Sequence, residues 1–164
     1  MCARVYDRRL LLPVALLLLP VAFLFSNSLP CHAASGRGAS PPDPAAIAQL
    51  EERASHANPR EQCYLYTQLV QTMVDAAGHQ MLDGDSEQAA ATLKRTEHYT
   101  QLIHLALARN TKRLKEAEKL MERTTERLGE YLRRTSGDDR LAMQATLKQL
   151  DHVHDELLDQ VFNH

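Results

Sequence analysis

Residues 103–131 read IHLALARNTKRLKEAEKLMERTTERLGEY, and the spacing of their apolar and small side chains decides the fold. Ile103, Leu107, Asn110, Leu114, Ala117, Met121, Thr124, Leu128 and Tyr131 alternate by four and three without a miss. On a helix that alternation keeps one stripe against a neighbour, the heptad seam of bundles and coiled coils. Thr100, Thr96, Leu93 and Ala89 continue it backwards. No proline occurs from Ser86 to Arg134, and the single glycine there is Gly129. The pattern therefore predicts one long central helix over about 86–134, roughly 73 Å in length. A break near Arg109-Asn110-Thr111 would turn the same stripes into a more closely packed bundle.

The flanks supply what such a helix needs to pack against. Asn58-Pro59-Arg60-Glu61 is a helix start, with a capping side chain, a first-turn proline and an acid three positions on. The helix it opens, about 60–82, carries Cys63, Tyr66, Leu69, Val70, Met73, Val74, Ala77 and Met81 on a broad apolar arc. Gly84 suits the left-handed residue that ends it, and Asp85 can cap the next helix. After Ser136-Gly137 a helix over about 139–162 places Met143, Leu147, Leu150, His154, Leu157 and Val161 on one stripe. Asp43-Pro44 opens a short helix, about 44–57, with Ile47, Leu50, Ala54 and Ala57 in line. Ala, Leu, Gln, Glu, Lys and Arg dominate the chain, and these residues lose little rotamer freedom in a helix. Runs of β-branched and aromatic residues are missing beyond the N-terminal segment. The expected fold is all-α, an elongated antiparallel, coiled-coil-like bundle.

The N-terminal segment reads as an address. Arg4, Arg8 and Arg9 precede an apolar run from Leu10 to Phe25, and a polar stretch follows to Cys31-His32-Ala33. That is the charged, apolar and small-residue order of a secretory signal peptide, with the cut placed after Ala33. An uncleaved inner-membrane anchor, a twin-arginine signal on Arg8-Arg9 and lipidation at Cys31 are the alternatives. Residues 34–42 form a small, proline-bearing linker, and 43–164 a single helical domain. The expected location is periplasmic or extracellular.

Of 19 Lys and Arg and 21 Asp and Glu, the signal takes Arg4, Arg8, Arg9 and Asp7. That leaves 16 against 20, a net charge of −4. Such a balance excludes the concentrated basic footprint that nucleic-acid binding requires. Cys2 and Cys31 leave with the signal, so Cys63 stands alone and no internal disulfide is expected. Charged residues over 112–134 interleave both signs, as on a solvated helix face.

Few residues suggest chemistry. His152 and Glu156 share a helix face at i, i+4, with His154 nearby, which makes these three candidate metal ligands. A second helix would have to complete such a site, and His-Glu-x-x-His and Glu-x-x-His pairs are absent. If the chain folds back across Gly84, His104 comes opposite Cys63, a thiol–imidazole juxtaposition that invites a test for a nucleophile or redox site. The bland readings are a solvated acidic face and a buried structural cysteine. No cofactor is expected, and no catalytic residue is assigned.

Gly84-Asp85-Ser86-Glu87-Gln88-Ala89, set between two helices, is similar to the turn of tetratricopeptide-type helical hairpins, though no repeat of about 34 residues follows. Asn-Pro-Arg-Glu-Gln-Cys at 58–63 and Asn-Thr-Lys-Arg-Leu-Lys-Glu-Ala-Glu at 110–118 resemble a group of short, exported, uncharacterised all-helical bacterial proteins. The resemblance implies location and fold, and carries over no functional residues. Together these readings lead to an exported, non-enzymatic envelope protein acting through protein–protein contact, as scaffold, adaptor or holdase-like factor. A homodimer or a protein partner is expected, and membrane association only through an uncleaved leader. The alternative is a small-ligand or metal-binding bundle using His and carboxylate side chains.

Overall fold

A computed structural model describes residues 40–109 and 111–163. The expected signal peptide and most of the expected linker lie outside the described residues. Within them the chain is all-α, with five helices and no strand: α1 (Pro44–His56), α2 (Pro59–Asp83), α3 (Ser86–Leu107), α4 (Leu114–Arg134) and α5 (Asp138–Phe162). Asp43 and Asn58 cap as their chemistry directs. Their side-chain oxygens accept from the N–H groups of Ala45 at 2.9 Å and Arg60 at 3.0 Å, satisfying donors that the first turn leaves unpaired. Gly84 takes the left-handed conformation, φ 87°, and α2 ends there. Asp85 occupies the N-cap position of α3 without a side-chain capping bond. The neighbouring Ser86 hydroxyl donates instead to Asp139 on α5, at 2.6 Å.

The continuous helix expected over 86–134 is not formed; the chain breaks between Leu107 and Leu114. The break has its own hydrogen bonds. Thr111 returns its hydroxyl to the Ala106 carbonyl at 3.0 Å, and the Arg109 N–H closes a tight turn on the same oxygen at 3.1 Å. Such local bonds compete with helix continuation. The Lys112 N–H is donated to the Arg60 carbonyl at the start of α2, at 2.8 Å, so the turn is pinned to its neighbour. A straight helix would have spread its seam over a length that no single partner covers. Once broken, both halves lie against α2.

Four side-chain registers define the topology. Gln80 meets Thr92 and Tyr66 meets Tyr99, so α2 and α3 are antiparallel. Leu132 meets Arg140 and Glu118 meets His154, so α4 and α5 are antiparallel too. Across the hairpins, Asp75 meets Arg127 and Gly78 meets Tyr131, while Ser86 meets Asp139 and His104 meets Glu156. These pairs advance together, so α2 runs parallel to α4 and α3 runs parallel to α5. Two helical hairpins therefore stand side by side in the same orientation. Their buried stripes match. Cys63, Thr67, Val70, Val74 and Ala77 have the spacing of Ala117, Met121, Thr124, Leu128 and Tyr131. Leu93, Thr96, Thr100, Ile103 and Leu107 likewise have that of Met143, Thr146, Leu150, Val153 and Leu157.

The expected α5 stripe is shifted in consequence: Thr146 and Val153 are buried, whereas Leu147 and His154 flank the core. Helix α1 covers a smaller cluster, packing Ile47 with Leu50 onto Leu69, Met73, Ala76 and Tyr99. Its Glu51 carboxylate pairs with Arg95 and accepts from the Tyr99 hydroxyl at 3.1 Å.

Gly78 of α2 packs against the Tyr131 ring of α4 so closely that a Cβ would overlap the ring atoms. Gly78→Ala should destabilise the fold by roughly 1–3 kcal/mol through overpacking, despite alanine's better helix propensity. Urea midpoints measure this, and Tyr131→Leu in the same background should recover part of the loss, giving a non-additive cycle.

Candidate functional site

Parallel packing of α3 on α5 brings His104 and Glu156 together, which antiparallel packing of one continuous spine would not have done. His104 Nδ1 lies 2.8 Å from both carboxylate oxygens of Glu156. His152, one turn earlier on α5, places Nε2 3.5 Å from the same carboxylate. Glu156 is thus shared by two imidazoles at the edge of a groove between α3 and α5. One side of the His104–Glu156 pair opens into a cleft of about 470 Å³, in which Thr100, Gln101, Leu105, Gln149 and Val153 accompany His104 and His152. A smaller hollow of about 270 Å³, bounded by Leu107, Ala108, Asp159 and Gln160, lies on the other. Leu105 stands at the rim, 57 % exposed. The side chains of His104 and His152 are 58 % and 75 % exposed, so these contacts contribute little stability. They shape the groove.

His154 faces the other way. Its Nε2 lies 3.4 Å from Glu118 on α4, with both side chains largely covered. The three residues singled out as metal ligands therefore divide between two neighbours. Among the described residues no group of three or more His, Cys, Asp or Glu side chains is arranged to hold a metal ion.

Cys63 and His104 stand in different surroundings, which corrects the expected juxtaposition. His104 projects toward Glu156 on α5 and is largely exposed, away from the buried α3 stripe. Cys63 is completely buried in the main core. Burial pushes its thiol up from an ordinary 9.0 to about 12, because a thiolate there would lose its hydration without gaining a partner. Nucleophilic chemistry at neutral pH needs the opposite shift. The groove itself was not legible in the sequence, since its walls meet only because the helix breaks at 108–113. None of the described helices is long and apolar enough to cross a membrane.

Burial of Cys63 has a measurable signature. Between pH 9 and about 12 the unfolded chain releases the thiol proton while the folded chain retains it. Stability should therefore fall as pH rises through that window, by up to about 4 kcal/mol at its upper end. Denaturation of wild type and Cys63→Ala across that range should show the alkaline slope reduced in the variant.

Comparison of the chain with protein-family models, curated proteins and solved structures gives no match.

Proposed function

We propose that this chain is an exported, non-enzymatic helical protein of the cell envelope that works through protein–protein contact, as a scaffold, adaptor or holdase-like factor. The observation that carries the proposal is the α3–α5 groove, where an apolar floor lies beside an exposed leucine and polar shoulders. That arrangement suits the apolar ridge of an amphipathic helix from a partner protein, with Gln101, Gln149 and the shared Glu156 available to its polar edges.

The heptad seam first suggested a partner, but its buried members are satisfied within the bundle. Ile103, Leu107, Ala117, Met121, Thr124, Leu128 and Tyr131 all lie in the interior. A partner must therefore use other surface, and the groove offers it. Export rests on the charged and apolar order of residues 1–33. A non-enzymatic role is supported by the inert environment of Cys63 and by the division of the histidines between separate carboxylates. The metal-binding alternative draws no support from that geometry.

Expression of the full chain in a bacterial host should deliver it beyond the inner membrane with Ala34 at its N-terminus. A photo-crosslinking residue in place of Leu105 should give a discrete adduct in intact envelopes. The same probe at Lys119, on the charged outer face of α4, should give none. Leu105→Glu should abolish the interaction while leaving the helical circular dichroism unchanged. Equal labelling from both positions would defeat the groove assignment, and retention in the cytoplasm would defeat the envelope assignment.

A further inference from the structure

The α3–α4 connector carries a backbone anomaly at the residue that caps α4. Arg113 adopts φ 60°, ψ 33°, and among the described residues it is the one non-glycine with positive φ. A side chain in that region costs on the order of 1–2 kcal/mol, and glycine or asparagine would relieve it. The conformation carries the guanidinium back across α2, where it stacks 3.6 Å over the ring of Tyr64. Tyr64 is fixed in turn, its hydroxyl accepting from the Gln68 amide at 3.0 Å. The Arg113 Nε lies 3.6 Å from Glu116, which leaves the two terminal nitrogens free to donate.

Arg113 forms one wall of an open cleft of about 630 Å³ at the corner of α1, α2 and the connector. Arg53 and His56, from the last turn of α1, line it as well. Arg53 makes no hydrogen bond or ion pair among the described residues. His56 Nδ1 donates to the Glu52 carbonyl at 2.9 Å and lies 3.0 Å from the Ser55 hydroxyl, so Nε2 can donate to an anion only in the protonated ring. The acid in the lining is Glu61. Two guanidiniums and an imidazole thus line one hollow of a domain whose overall charge is negative.

We infer that this corner binds a phosphate monoester dianion, free or as a lipid headgroup. A guanidinium donates a planar fork of N–H groups, and stacking on an aromatic ring fixes its plane before the ligand arrives. Forks from two separate elements meet oxygens pointing in different directions. A tetrahedral phosphate presents such oxygens, whereas a planar carboxylate is served by one fork. The strain at Arg113 is then the cost of holding one fork in place.

Titration of the exported protein with inorganic phosphate at constant ionic strength, followed by amide NMR, tests the site. Saturable shifts are expected at Tyr64, Gln68 and Arg113, with Arg53→Ala and Arg113→Ala each weakening binding by at least about tenfold. Arg113→Gly separates binding from folding. It should raise the melting temperature by relieving the backbone and still lose the phosphate. Vesicles of phosphatidic acid, against phosphatidylcholine, identify the source. Arg53-dependent sedimentation with the acidic vesicles assigns a headgroup, and binding of phosphate without sedimentation assigns a soluble ester. Linear, non-saturating shifts, or shifts indifferent to Arg53→Ala and Arg113→Ala, would overturn the proposal.

Discussion

Helix α2 is enclosed on nearly every side, and the rest of the bundle is arranged around that fact. Cys63, Val70, Val74 and Ala77 join the main core, while Leu69, Met73 and Ala76 face a second cluster under α1. No single neighbour can cover two such stripes. Three helices must therefore reach α2, and α1, α3 and α4 all pack on it. Gly78 sets how closely α4 approaches, because the absent side chain admits the Tyr131 ring. Interior packing is dense enough that one methyl group there is felt. The connector joins the same system through the Lys112 N–H and the Arg60 carbonyl. Breaking the long seam is the geometric answer to a central helix with too much apolar surface for one partner.

Much of this was readable in advance, and the part that was not has a common cause. Caps, prolines and Gly84 mark the ends of α1 and α2 by local chemistry, which the sequence displays directly. The stripes were equally visible, and most of their members are buried. What the stripes cannot say is which helix lies opposite. A four-three alternation is satisfied by a continuous rod or by two rods folded about a break, and Thr111 and Lys112 resolve the choice through bonds to Ala106 and Arg60. The same ambiguity displaced His154 from the α5 seam to its margin, because stripes at 143-147-150 and 143-146-150 differ by about one-third of a turn. Both sites suffered in turn. His104 was matched to Cys63 by level alone, and direction around the helix sent it to Glu156. Arg113 gave no signal, since no residue preference marks an arginine for the left-handed region.

Charge is distributed with purpose across the helices. The outer face of α4 alternates acids and bases, with Glu116, Lys119, Glu122, Arg123, Glu126 and Glu130 exposed. Such pairs add a few tenths of a kcal/mol each and chiefly keep the surface wet. At the corner beneath α1 the basic groups gather around few acids. Along the α3–α5 groove histidines and a carboxylate frame apolar surface instead. Three faces of one small bundle thus have different solvent character, although the same helices build them.

Two hairpins related by a shift, rather than by a rotation that turns one to face the other, have no natural stopping point. A third could be added on either flank, as in stacked-repeat proteins, where terminal elements with polar outer surfaces end the array. Here α1 closes the flank beside Leu69 and Met73, and the charged outer surface of α4 discourages growth on the other. Deleting the first helix would therefore do more than loosen a corner. It would uncover a ready-made apolar stacking surface on one flank only, which two copies could bury against each other as a closed, face-to-face dimer.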